Sequence, residues 1–188
     1  MLAYLFFHWP RPSVAPARYE VVLAEFHEAL AAHGSPGLVG SWAHETPELP
    51  WGPAGTPHYA DRYHVVDHAA LGALNVSGVD GACRQAHDAV AKLSAGGAGA
   101  LYAIRSGEPD GTAGWETWLS KPDGMPYEAF YELADAATLS APGSALWRRQ
   151  MVLGPSPEFC LLSAGPVALP AELAATPRRR RGVSGSRG

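Results

Sequence analysis

The sequence predicts an α+β protein built from two similar halves whose sheets pack against each other. Short aromatic-rich strands alternate with amphipathic helices along the chain. A helix that begins with "YEVVLAEFHEAL" at residue 19 has a counterpart, "YEAFYELADAA", at residue 127. An aromatic segment and a proline-bearing turn precede the helix in both places, so the same order of elements is expected twice.

The first half is predicted to contain a strand, a helix, two strands, two helical segments and a fourth strand. Gly34 and Asp67 mark helix ends, because glycine commonly caps the C-terminus of a helix and aspartate the N-terminus. Four prolines and two glycines make residues 46–57 a loop. The predicted strands are 3–9, 37–45, 58–66 and 100–106, and the predicted helices are 17–33, 68–74 and 80–94.

The second half is predicted to be shorter. Its expected elements are strands 114–121, 145–153 and 158–163, helix 126–138 and a stub helix near 168–174. The whole order is β-α-β-β-α-β, the ferredoxin-like pattern, followed by a truncated β-α-β-β. We therefore expect one ferredoxin-like repeat over residues 1–110 and a truncated one over 111–176. Residues 177–188 are expected to be a disordered Arg-rich tail, since Gly, Ser and Arg cannot build a core.

A ferredoxin-like sheet carries helices on one face only, so its other face needs cover. Two such sheets packed face to face cover each other, which predicts an α+β barrel with a ligand cavity between the sheets. A barrel closed by a single chain favours a monomer. An exposed edge in the truncated half leaves a weak homodimer as the alternative.

The run "YADRYHVVDHAAL", residues 59–71, is an aromatic-rich strand that passes through an aspartate into a helix. With the order of elements over residues 3–163, it resembles the dimeric α+β barrel superfamily in its tandem, single-chain form. That group includes small cofactor-free monooxygenases, lactone isomerases, stress-responsive proteins and haem-binding chlorite dismutases. The resemblance does not extend to haem, because the proximal histidine of those dismutases belongs to the C-terminal repeat and no histidine follows His87 here.

Charge and composition exclude several other classes. Five of the 14 basic residues lie in the tail, which leaves nine against 18 acidic residues and a body charge of about −9; an acidic body argues against nucleic-acid binding. No apolar run approaches the roughly 20 residues of a membrane span, and the start lacks signal-peptide features. Cys83 and Cys160 show no metal or disulfide spacing, so we expect reduced thiols and a cytoplasmic protein.

Strand alternation assigns side chains to the predicted cavity. Because a helix-facing surface is expected to be small and aliphatic, Ala43 is placed under the helices and Trp42 toward the cavity. The same reasoning places His8 with Phe6 in the cavity, whereas strand 58–66 carries charge on both sides. The predicted ligand-binding residues are Phe6, Trp42, Tyr63, Glu116, Trp118 and Trp147, and the predicted catalytic residues are His8, His44 and Arg149.

Histidine suits proton transfer near neutral pH, and a guanidinium can hold an oxyanion. These residues favour a cofactor-independent enzyme, of oxygenase or isomerase type, acting on a small aromatic or enolisable compound. A non-catalytic small-molecule binder or assembly protein is the alternative. The enzyme hypothesis requires His8, His44 and Arg149 to face one cavity. No metal site is expected, because His58 and His64 lie about 20 Å apart along one strand face and no metal motif is present.

Overall fold

The computed structural model describes residues 1–187, apart from the side chains of residues 152 and 153. The strands are β1 (Leu2–Pro10), β2 (Leu38–Thr46), β3 (His58–Val65), β4 (Ser94–Gly107), β5 (Trp115–Leu119), β6 (Ala145–Leu153), β7 (Phe159–Ser163), β8 (Arg178–Arg179) and β9 (Arg181–Arg187). The helices are α1 (Pro16–His33), α2 (His68–Asn75), α3 (Arg84–Leu93) and α4 (Tyr127–Leu139). A π-helical turn spans Val76–Asp80, and a 3₁₀ turn spans Ala171–Leu173.

The strands form one antiparallel sheet in the order β8-β5-β7-β6-β4-β1-β3-β2-β9. The two halves are arranged alike: when the strands are numbered within their own half, each half has the order fourth, first, third and second. β4 pairs with β6 and joins the halves on one side. On the other side β8 pairs with β5 and β9 with β2, and a single residue, Arg180, separates β8 from β9. The sheet is therefore a nearly closed barrel of two ferredoxin-like halves, which confirms the predicted fold class.

Residues 178–187 form this second seam, where the composition had predicted a disordered tail; residue 188 lies outside the described residues. The Arg181 guanidinium anchors the seam by donating to Glu20 at 2.6 Å and to Glu45 at 2.7 Å. Low apolar content predicts disorder only for a segment that has no partner. An open sheet edge offers backbone hydrogen bonds to any sequence, and β2 and β5 offer two such edges.

Side chains from both halves fill the interior of the barrel. Phe7 and Leu5 from the first half pack with Trp147 and Leu162 from the second. The structure differs here from the predicted ligand cavity between the sheets, because large side chains occupy that space. Buried polar residues also lie on this side, namely Arg62, His64, Glu116 and Arg180.

Helices cover the outer face of the sheet, α1–α3 over the first half and α4 over the second. α1 begins with Pro16, whose fixed φ suits a first helical turn, and it ends at Gly34, which adopts a φ of 69°. Asp67 caps α2 as predicted and accepts from the Ala70 N–H at 2.9 Å. α3 has no fully buried residue, so it stands away from the sheet and leaves a space beneath it. No helix within residues 1–187 is long and apolar enough to cross a membrane.

Deletion of residues 177–188 should lower the free energy of unfolding by several kcal/mol. It removes the β2–β9 ladder, each hydrogen bond of which contributes about 1 kcal/mol net, and it uncovers Trp42. Guanidinium denaturation measures the loss, and a red shift of tryptophan emission reports the exposure. Arg179→Gln, at an exposed position of the same seam, is the matched control and should change stability by less than about 0.5 kcal/mol. An unchanged midpoint for the deletion would contradict the barrel closure.

Candidate functional site

A cavity of about 850 Å³ lies between the outer face of the first-half sheet and helices α1–α3. Most of its wall is apolar, with Phe6, Phe26, Leu71, Val90 and Leu101 among the lining residues. Its ionisable or hydroxyl-bearing side chains are Tyr4, His8, Tyr19, Asp61, Tyr63, His68, His87 and Ser94. An apolar space with a few convergent polar groups is the usual make-up of a ligand pocket.

Glycines of β4 make room for the aromatic floor of this cavity. A Cβ at Gly97 would lie 2.6 Å from the Phe6 ring and 2.6 Å from the Phe7 carbonyl oxygen. Only glycine allows such a close approach. Residues 95–99, "AGGAG", which lie between the predicted helix 80–94 and the predicted strand 100–106, therefore belong to β4, which begins at Ser94.

Asp61 on β3 is the centre of a buried polar network in the cavity wall and is 4% exposed. Its Oδ1 lies 3.1 Å from Nε2 of His8 and 3.3 Å from Nε2 of His27, in ion-pair contacts whose N–H directions deviate from ideal hydrogen-bond geometry. The Tyr63 hydroxyl donates to Oδ2 at 3.0 Å. Burial raises the pKa of Asp61, but the two imidazoles outweigh burial and hold that pKa well below its usual range. The carboxyl group is therefore ionised at neutral pH.

Each imidazole in turn contacts a hydroxyl through its other nitrogen. The Tyr19 hydroxyl lies 2.6 Å from Nδ1 of His8, and the Ser41 hydroxyl lies 3.1 Å from Nδ1 of His27. When the proton of each ring is on the nitrogen that faces Asp61, each Nδ1 is an acceptor and each hydroxyl donates. We refer to the chain Tyr19–His8–Asp61–His27–Ser41 as the Asp61 network. Burial raises the pKa of Tyr19, so this hydroxyl keeps its proton at neutral pH.

Three of the predicted site residues line the cavity: His8, Phe6 and Tyr63. His8 and Phe6 were expected to face the other half of the protein, and that orientation is wrong. β1 presents Leu5 and Phe7 to the barrel interior and turns His8 and Phe6 toward the helices. The rule that helix-facing residues are aliphatic fails here because α1 meets this surface with polar side chains: Tyr19 contacts His8, and His27 contacts Asp61.

The other predicted ligand residues, together with His44, face the barrel interior, where Thr46 donates to Glu116 at 2.7 Å. Burial, and after it the charges of Arg180 and Arg62, lowers the pKa of His44 to about 2, so its ring is neutral. The interior residues in question are Trp42, His44, Glu116, Trp118 and Trp147.

Arg149 lies on β6, half-buried, and its guanidinium donates to the carbonyl of Ser156 in the following turn. Neither Arg149 nor His44 lines the cavity that His8 lines. The structure thus does not bring His8, His44 and Arg149 into one cavity, which the sequence-based enzyme hypothesis had required.

The sequence pattern did not identify Tyr19, His27, Asp61 and Ser41 as site residues. A usable signal exists on α1, where Tyr19, Leu23 and His27 recur every four residues and so share one helix face. On β3, Tyr59, Asp61 and Tyr63 alternate and therefore share one sheet face. A hydroxyl, an imidazole and a carboxylate on two facing surfaces is a pattern worth testing in other sequences.

The arrangement suits proton transfer more than metal binding. Within residues 1–187, no group of three or more His, Cys, Asp or Glu side chains has an arrangement that could hold a metal ion. The two rings approach the same carboxylate oxygen through nitrogens that can carry the shared protons. A carboxylate that supports an imidazole, which itself contacts a hydroxyl, is the arrangement of general acid–base catalysis.

The chain matches no family model and no curated protein. Among solved structures, it is similar to an anthrone oxidase-like protein, with 10% identity and a TM-score of 0.60 over 99% of this chain and 92% of that one. It is also similar to a proposed monooxygenase from Lactobacillus acidophilus NCFM, with 9% identity and a TM-score of 0.61 over 99% and 96% of the two chains. At these identities the likeness shows the α+β barrel fold alone.

Gly97→Ala should destabilise the protein by about 1–3 kcal/mol, the usual cost of overpacking, because the Phe7 carbonyl oxygen belongs to the backbone and cannot move aside. Gly72→Ala in α2 is the matched control. Nothing lies within 4 Å of a Cβ there, so this variant should gain up to about 1 kcal/mol of helix stability. Urea denaturation compares the two variants. Equal stability for both would contradict the packing of β1 on β4.

Acid should destabilise the protein through the buried histidines His44 and His64. Their folded-state pKa values are lowered, mainly by burial, to about 2 and about 3, whereas the unfolded chain takes up these protons near pH 6.5. The stability that these neutral histidines contribute is therefore fully present above about pH 6.5. Below that pH, each histidine lowers the free energy of unfolding by about 1.4 kcal/mol per pH unit. Denaturation at several pH values between 6.5 and 4.5 measures this slope. His44→Leu should reduce it, and His33→Asn, at an exposed position, should not. An equal slope in all three proteins would refute the assignment.

Proposed function

We propose that the protein is an enzyme that removes a proton from a small, largely apolar compound held in the cavity. The reaction is of isomerase or oxygenase type, and its first step requires no bound cofactor. One observation carries the proposal: His8, in the cavity wall, contacts Asp61 at 3.1 Å and Tyr19 at 2.6 Å.

His8 is suited to accept the proton. The proton of a substrate C–H or O–H passes to the Tyr19 oxygen while the proton of Tyr19 passes to Nδ1 of His8. The electron pair stays on the substrate as an enolate or phenolate. Asp61 stabilises the imidazolium that forms.

Two reactions can follow this step. Return of the proton to a different carbon completes an isomerisation. In an oxygenase, dioxygen is the co-reactant: the electron pair of the carbanion forms a C–O bond to it, and the resulting peroxide anion takes back the proton held by His8. The anthrone oxidase-like protein and the proposed monooxygenase share the fold of this chain, and their names agree with the oxygenase reaction.

The cavity wall favours an uncharged ligand. Among the described residues, no lysine or arginine lines the cavity, so a carboxylate or phosphate would find no fixed cation there. This argues against the role of oxyanion holder that the sequence suggested for Arg149. Aromatic rings such as those of Tyr4 and Phe6 suit a flat apolar compound.

Non-catalytic binding is the second candidate, and the burial of the network favours it. His8 is 1% exposed and Tyr19 is fully buried, and each already has partners within the protein. A buried polar network of this kind also serves to hold α1 on the sheet.

A deuterium-exchange assay separates the two candidates. Small aromatic and enolisable compounds are first screened by thermal shift. Bound compounds are then incubated with the protein in D₂O, and NMR follows loss of their ionisable C–H signal. Wild type should catalyse exchange, and His8→Asn should bind the same compound but exchange it at least about 100-fold more slowly, the usual contribution of a general base. His33→Asn, at an exposed position outside the Asp61 network and the cavity wall, is the control. Binding without exchange by wild type would support the binder and sink the enzyme.

A further inference from the structure

The carboxylate that supports His8 is shared with a second imidazole. We infer that His27 is a positioning residue that limits how strongly Asp61 retains a proton on His8. This inference deepens the proposed function and rests on it for its catalytic meaning. Its structural basis is that both rings contact one oxygen, Oδ1, at 3.1 and 3.3 Å.

Three side chains that can donate a proton share the two carboxylate oxygens of Asp61. Tyr63 occupies Oδ2, so His8 and His27 compete for Oδ1. Every donor that stabilises a carboxylate reduces the pull that remains for another donor. Without His27, Asp61 would hold a protonated His8 more tightly. His8 would then release its proton less readily, which matters to an enzyme that must return the proton to its substrate.

His27 is not itself positioned to receive a proton from the ligand. It is 1% exposed, and it is absent from the described wall of the cavity. The order Ser41–His27–Asp61 is that of a serine-nucleophile triad, yet Ser41 is also 1% exposed and outside that wall. A nucleophile must meet its substrate, so this serine has a different use. Because the Asp61 carboxylate can only accept, it favours the proton of His27 on Nε2, and the Ser41 hydroxyl then donates to Nδ1.

The other groups around these rings keep a constant charge at neutral pH. Tyr19 from α1, and Tyr59 and Tyr63 from β3, face the two rings, and burial raises the pKa of all three. β4 contributes only Gly97 opposite His8. Two further histidines, His68 from α2 and His87 from α3, lie elsewhere in the cavity wall. A change in the titration of His8 after mutation of His27 therefore reports on Asp61.

Two substitutions distinguish the effect of the His27 N–H donor from the effect of the size of its ring. His27→Gln retains an N–H donor that can reach Asp61, and His27→Phe retains a flat ring without a donor. Long-range ¹H–¹⁵N NMR of the histidine rings between pH 5 and 9 reads the titration of His8 directly. We expect His27→Phe to raise the midpoint pH of the His8 signals by about one unit, and His27→Gln to leave it within a few tenths. An unchanged midpoint in His27→Phe, or equal shifts in both variants, would overturn the inference.

A third variant keeps the test decisive if His27→Phe does not fold. Ser41→Ala leaves the ring in place but removes the hydroxyl that donates to Nδ1, which makes the tautomer with its proton on Nε2 less favourable, so part of the population loses the N–H that faces Asp61. The ¹⁵N signals of His27 should then show a tautomer mixture, and the His8 midpoint should rise. A mixed tautomer with an unmoved midpoint would count against the inference.

The outcome is distinguishable from that of the proposed function, because the NMR titration needs no substrate. Absence of deuterium exchange in wild type would defeat the enzyme while a shifted His8 midpoint still supported the influence of His27. Exchange whose pH profile is identical in wild type and His27→Phe would defeat the inference and leave the enzyme standing.

Discussion

A carboxylate that is shielded from water must receive its hydrogen-bond donors from the protein, and the architecture of the first half depends on meeting that demand. Asp61 points outward from β3, so donors must come from β1 and from the helix above. β1 supplies His8 and α1 supplies His27. Tyr19 and His27 lie two turns apart on α1, and each is tied to the same carboxylate, directly or through His8. These contacts fix the rotation and height of α1 over the sheet, and therefore the shape of the cavity beside it.

The two faces of the sheet serve different purposes. The inner face carries large side chains such as Trp147 and Phe7, and it holds the two halves together. Its histidines are neutral, because burial and neighbouring arginines disfavour their charged form. The outer face of the first half carries the ionised Asp61 and its two rings under an incompletely packed layer of helices. The candidate acid–base site therefore lies on the outer face, and the side chains that close the barrel lie on the inner one.

Local pattern was enough to predict most of the fold. Aromatic alternation located the strands, and helical spacing located α1 and α4, because both signals come from residues close together in the chain. Strand pairing at the second seam was not predictable, since a short arginine-rich segment carries no apolar period. The site was predicted in part. His8 and Tyr63 were selected for their chemistry, but the side to which His8 points depends on whether the helix above the sheet brings a polar partner to it, as Tyr19 does. The meeting of His27 with Asp61 is a contact between distant segments that no spacing motif records.

The closing strand has a consequence for how the protein is made. Every described residue that lines the cavity lies between positions 4 and 151, whereas β9 begins at Arg181. During translation the cavity wall thus leaves the ribosome before the segment that completes the barrel. Until β9 emerges, β2 has a free edge to which a strand of a neighbouring nascent chain can add. The strand β9, which contains few apolar residues, in this way protects the growing chain from pairing with its neighbours.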